Sequence, residues 1–336
     1  MKRILDLDAA TYRRHAIHGE DRVWAETNCY TDLLVEQLHA LGVEPVAALP
    51  FTLGIDFEGD QWTFFKFPDG DLADLYGIEV QELAVWRPLT DHIEDQVELG
   101  RPVMVELDSF FLPDTAGTAY GLAHMKSTVG VNEIDVSARH LGYFHNQGYY
   151  TLGGDDFDAL FQMNGLVHER MLPPYIEYLK RVPGQAPLQG GALLEASLGL
   201  MRRQLSRLPA DNPFGRFKVQ FSRDIAWLMD ADMEIFHTYS FANLRQYGAC
   251  FELAETYLRW LAGQGVPNVT MPAEKLAGIA QTAKAFQFQL ARSSGFLRAI
   301  DRASWNWKAL AVCAMAANRS AAGITFGTPC PASQRR

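Results

Sequence analysis

The sequence predicts an α+β protein in two parts, a mixed α and β N-terminal part and an all-α C-terminal part. Three observations predict it. Strand-like alternation of apolar residues recurs up to about residue 146, while three- and four-residue apolar spacing takes over after about residue 190. The charge also reverses: 28 acidic against 10 basic residues up to Phe161, then 12 against 20 from Gln162 onward.

The elements follow in order. Residues 28–41 place Tyr30, Leu33, Leu34, Leu38 and Leu41 on one helical face, and Gly42 ends the run. Strands are expected at 43–49, 61–67 and 80–86, then an amphipathic helix at 89–100 with a glycine stop. Residues 101–111 alternate Val103, Val105 and Leu107 on one side, as a strand does. Two more strands are expected at 123–131 and 140–146, with a turn around NEIDVSA between them.

After the proline- and glycine-punctuated RVPGQAPLQGG, four segments carry helical spacing: 192–208, 214–229, 240–263 and 273–292. A fifth, 295–317, does the same. The domain boundary is expected between about 160 and 190, giving an α+β domain at 1–161, a helical domain at 162–325 and a disordered tail at 326–336. Cys250 and Cys313 fall in apolar helical patterns and read as core. Asn243, Arg245 and Gln246 read as a solvated helix face.

Composition excludes several classes. No run reaches the 18 apolar residues of a membrane span, and MKRILDLDAATYRRH lacks the apolar stretch of a secretory signal. The cysteines, at 29, 250, 313 and 330, form no CxxC pair, so neither a zinc site nor a disulfide framework is expected and a reducing cytoplasm fits. No dense Lys/Arg run with interleaved aromatics points to nucleic acid.

The chemistry is expected in ETNCYTDLL. Asn28 is an N-cap residue, which puts Cys29 in the first helical turn. Free N–H groups and the helix dipole favour a thiolate there, and the same N–H groups can hold an oxyanion. A cysteine nucleophile needs a base and a group to orient it. His124 opens one expected strand, and Asn146 ends the next. Cys29, His124 and Asn146 therefore stand in the order and setting of papain-like catalysis, a helix packed on an antiparallel sheet. His145 is the alternative third member. Asn28, as an oxyanion donor, and Asp108, at a strand end, are accessory candidates. Val23 stands where many papain-like peptidases place an oxyanion glutamine, which argues against an ordinary peptidase.

The stretch GRPVMVELDSFFLPDTAGTAYGLAHMKSTVGV resembles the N-terminal domain of butirosin-type acyltransferases. The shared pattern is a glycine before a strand, an aspartate at its end, Leu-Pro, then a histidine opening the next strand. That resemblance implies a papain-like fold and a cysteine that takes an acyl group from a carrier-protein thioester. It carries the nucleophile onto Cys29 and the base onto His124. The third member departs from the pattern, since those folds usually place Asp where this chain has His145-Asn146.

ETNCYTDL, DFEGDQWTFFKFP, YGIEVQELAVWRPL, LPDTAGTAYG and LGYFHNQGYYTL resemble a bacterial family with no established reaction. Its genes tend to lie beside small carrier proteins and amino acid:carrier-protein ligases, and the likeness covers most of the chain. The reading implied is an aminoacyl transferase working through an aminoacyl-Cys29 intermediate. It needs no cofactor beyond the donor's phosphopantetheine arm. Its partners are a small acidic carrier protein, received by the basic helical half, and a ligase. The alternatives are a cysteine amidase or peptidase, and a papain-like binding partner of the carrier without catalysis.

Overall fold

The computed structural model describes residues 1–165 and 174–296. Contacts divide the chain into two units: Met1–Phe51 with Phe65–Leu198, and Thr52–Phe64 with Gly199 onward. The expected boundary at 161/162 therefore falls inside the first unit. The disordered tail expected at 326–336 and most of the helix expected at 295–317 lie outside the described residues.

The first unit is built on a seven-stranded antiparallel sheet. Its strands are β1 (Lys2–Arg3), β2 (Ile78–Glu82), β3 (Val103–Asp108), β4 (Lys126–Asp135), β5 (His140–His145), β6 (Gly148–Gly153) and β7 (Ile176–Arg181). The order is β2-β7-β3-β4-β5-β6, with β1 pairing onto β4. β7 pairs with both β2 and β3, so a segment assigned from sequence to the helical half completes the sheet. The turn expected at NEIDVSA begins late, because β4 runs on to Asp135 through a bulge between Val131 and Glu133. The bulge lets Asn132 bond Leu5 through both ends of its amide, at 2.9 Å each, which ties down the N-terminus.

Helices α1 (Cys29–Ala40), α2 (Asp69–Tyr76), α3 (Leu89–Glu98) and α4 (Asp155–Leu160) accompany the sheet. One sheet face is an apolar core of Val103, Val105, Leu107, Val129, Val131 and Tyr143, packed with Ile93 and Val97 of α3 and Phe157 and Leu160 of α4. The other face receives α1. Gly130 makes that approach possible, because a Cβ there would collide with Leu33 and Gln37 of α1.

Two expected strands do not form. Residues 43–49 fall largely in a 3₁₀ stretch, Pro45–Gly54. Pro45 and Pro50 have no N–H to give a ladder, and side chains take up carbonyls instead: Ser197 Oγ donates to Ala47 O at 2.7 Å. Residues 61–67 join no ladder of the sheet and hold an isolated bridge between Phe57 and Trp62.

The second unit contains helices α6 (Pro213–Leu228), α7 (Met233–Ser240), α8 (Gln246–Gly263) and α9 (Thr270–Phe296), and the division falls inside α5 (Gly190–Leu205). A π-helical turn, Phe241–Arg245, joins α7 to α8. Trp62 is fully buried against Phe57, Phe214, Phe217 and Tyr247. Cys250 is buried, as its apolar pattern implies. Asn243 and Gln246, expected on a solvated face, are buried too.

Candidate functional site

Cys29 opens α1, and the N-cap is as the sequence implies. Asn28 Oδ1 accepts from Thr31 N at 2.9 Å. Its Nδ2 donates to Phe65 O at 3.0 Å. Both ends of that amide hold the helix start, so Asn28 is a cap and a tether, with its amide engaged by the protein itself rather than held out as the oxyanion donor expected of it. Residues 61–67 thus matter for the Phe65 carbonyl they deliver, which also accepts from Thr31 Oγ1 at 3.3 Å.

Asp32, in the same first turn, brings a buried carboxylate to the helix start. It is neutralised by a residue the sequence reading passed over. His18 is fully buried between Asp32 Oδ1, at 3.3 Å, and Glu36 Oε1, at 2.5 Å. Burial works against its charge, but the hydrogen bonds and charges of Asp32 and Glu36 outweigh burial and push His18 up to about 9. Thr27 closes the cluster, donating to Asp32 through N at 2.7 Å and Oγ1 at 2.6 Å. The i, i+4 spacing of Asp32 and Glu36 on α1 was the available clue.

Strand register places the partners. Directly opposed residues project to the same face, and Asp108 opposes Lys126, Glu106 opposes Thr128, and Met104 opposes both Gly130 and Glu177. Gly130 lies under α1, so this is the Cys29 face. The thiol donates to Thr128 Oγ1 at 3.8 Å. His124 stands two residues before β4, and its Nδ1 lies 2.6 Å from Asp108 Oδ2. Phe110 stacks on the imidazole at 4.3 Å between centroids and 9° between planes. Asp108 is buried, and its other oxygen accepts from Phe110 N at 3.0 Å. A carboxylate only accepts, so Nδ1 carries the hydrogen, and in the neutral ring Nε2 is then the accepting nitrogen, the tautomer a general base requires.

Asp108, not Asn146, is therefore the residue that orients His124. Asn146 occupies the β5–β6 turn with a φ of 46°, a left-handed position that asparagine tolerates. His145 does not orient His124 either. Its Nδ1 pairs with Asp114 and its Nε2 with Ser127, at 2.6 Å each. The acceptor reaches His124 from β3, upstream of it, rather than from the strand after it.

Acidic groups share the Cys29 face. Glu177 is buried and accepts from Tyr30 at 3.1 Å and Tyr175 at 2.8 Å. Burial first, and the charge of Glu177 second, raise Tyr30. Lys126 is exposed and pairs with Glu106 at 2.8 Å. Among the described residues no cluster of three or more His, Cys, Asp or Glu has the arrangement of a metal site. None of their helices is long and apolar enough to cross a membrane.

The model of the DUF1839 N-terminal domain matches residues 13–181, and that of the DUF1839 C-terminal domain matches residues 190–309. The chain belongs to the DUF1839 family. A search of curated proteins returned no match. Cys29, Asp108, His124, Asp114 and His145 all lie within the stretch matched by the DUF1839 N-terminal domain.

Proposed function

We propose that this DUF1839 protein is a cysteine-dependent acyltransferase of papain-like chemistry, with Cys29 as nucleophile, His124 as base and Asp108 as orienter. The observation that carries the reading is the His124–Asp108 pair, seated on the sheet face that also receives the thiol at the start of α1. Cys29 Sγ attacks a thioester carbonyl as His124 Nε2 takes the thiol proton. The N–H groups of the first turn of α1 hold the oxyanion. Collapse of the tetrahedral intermediate expels the donor thiolate, which recovers the proton from His124. An acceptor nucleophile then attacks the acyl-Cys29, losing its own proton to His124, and collapse expels the Cys29 thiolate, which takes that proton back as the product leaves.

The acyl group proposed is aminoacyl, delivered on the phosphopantetheine arm of a small acidic carrier protein. Glu177 supports that choice by putting negative charge beside Tyr30, the residue after the nucleophile, where an α-ammonium group needs it. Thioester exchange onto a thiol is close to thermoneutral, so positioning and oxyanion binding are the chief demands.

Product analysis tests the reading. An aminoacyl-pantetheine thioester is mixed with the protein and a panel of amines, and free amino acid is separated from amide product. Amide formed with wild type and absent with Cys29→Ala supports transfer. Free amino acid alone, still dependent on Cys29, replaces transfer with hydrolysis. Turnover unaffected by Cys29→Ala contradicts the proposal.

A further inference from the structure

A second histidine–carboxylate pair lies on the sheet face opposite Cys29, and the chemistry above makes no use of it. His145 is 1% exposed and has both ring nitrogens engaged, Nδ1 with Asp114 Oδ2 and Nε2 with Ser127 Oγ, at 2.6 Å each. Tyr143 donates to the other oxygen of Asp114 at 2.5 Å. Serine, imidazole and carboxylate in that sequence have the connectivity of a nucleophile triad. The setting argues otherwise. Ser127 lies inside β4 in register with Leu107, not at a helix start or tight turn where free N–H groups gather to hold an oxyanion.

We propose instead that Asp114 and His145 are positioning residues for His124. Asp114 belongs to the loop that leaves β3 at Asp108 and returns to β4 through His124. That loop is the seat of the imidazole. Its Phe110 stacks on His124, and Ser109 donates through both N and Oγ to Met125 O, at 2.8 Å each. Thr115, next to Asp114, donates through Oγ1 to Ser109 O at 3.0 Å and to Leu112 O at 2.9 Å. Asp114 is thus the far anchor of the turn that holds Asp108 and Phe110. It is fixed to β5 through His145 and Tyr143, and through Ser127 to the strand segment that carries Lys126 and Thr128. The buried carboxylate accepts only, so His145 donates from Nδ1 and accepts the Ser127 hydroxyl at Nε2. Every polar group of this brace is paired, the condition for a buried network to specify one geometry.

The inference rests on the Cys29–His124 reading for its consequence, and its test does not need activity. The full chain is labelled with ¹³C-histidine, and the His124 ring signals are assigned by their loss in His124→Gln. Stacking on Phe110 displaces those signals upfield through the ring current. His145→Leu is expected to return them toward the unstacked position and to slow alkylation of Cys29 by iodoacetamide. His145→Gln, which can both donate and accept, is expected to restore both. Should His145→Leu fail to fold, Asp114→Asn and Tyr143→Phe each remove part of the brace and carry the test. His124 signals unmoved in every folded variant would overturn the proposal. Signals that move while alkylation stays at the wild-type rate would keep the positioning role and count against His124 as the base.

Discussion

His124 Nδ1 and Asp108 Oδ2 stand 2.6 Å apart across the two ends of a single loop, 16 residues apart in the chain. The loop, rather than a neighbouring strand, brings the acceptor to the imidazole. Asp108→Asn keeps the size of the side chain and removes its charge, so the imidazole loses the group that fixes its tautomer. We expect acyl transfer to Cys29 to fall by roughly 10²–10⁴-fold. Asn146→Ala is expected to leave the rate unchanged. Single-turnover acylation of both variants checks this, and a loss confined to Asn146→Ala would reverse the assignment.

The two histidines near α1 predict a pH window for stability. His18 is raised from 6.5 to about 9, so its contribution is complete below pH 6.5 and is lost as pH rises through 9. His15 is lowered from 6.5 to about 4, first by burial and then by neighbouring His39, so its contribution is present above pH 6.5 and is lost as pH falls toward 4. Urea unfolding is expected to give greatest stability near pH 6.5. The alkaline limb amounts to about 3 kcal/mol, and His18→Gln should flatten that limb while leaving the acid one.

Gly130 permits α1 to lie on β4. A Cβ there meets the side-chain ends of Leu33 and Gln37, both buried, so Gly130→Ala forces those side chains to repack between α1 and β4. The expected destabilisation is about 1–3 kcal/mol, read by urea denaturation. It should be accompanied by a change in Cys29 alkylation, because the thiol rides on the first turn of the same helix.

Asn28→Ala removes the cap and leaves the Phe65 carbonyl without its amide donor. A loss of about 1–2 kcal/mol is expected. Asn28→Asp keeps the accepting cap oxygen but gives up the Nδ2 donor to Phe65. It is expected to recover part of the stability, and thermal unfolding of the two variants side by side measures the difference.

The sequence carried the positions of most structural elements because periodicity survives in them. α1, α3, β3, β4 and β5 lie close to where their apolar spacing puts them. β7 was hidden, since its pairing with β2 and β3 is set by distant residues and leaves only a short local pattern. The segment 43–49 misled because its apolar residues suit a strand, while Pro45 within it and Pro50 just after it decide the backbone. At the site, Asn28 and Cys29 were legible from local cap chemistry. The partner of His124 was not, because a turn-forming asparagine after a histidine looks like an orienter until strand register shows which carboxylate faces the ring. His18 was missed for the same reason: its partners are fixed by how the N-terminal segment folds back on α1.

The central claim is that Cys29 accepts an acyl group, and intact-protein mass tests it most directly. Wild type and Cys29→Ala are mixed with a carrier protein loaded with glycine or alanine as the thioester. The expected result is a gain of one aminoacyl unit in wild type and none in Cys29→Ala. No gain in either, with the carrier loaded and its binding demonstrated, would contradict covalent transfer and leave a binding protein without catalysis in its place.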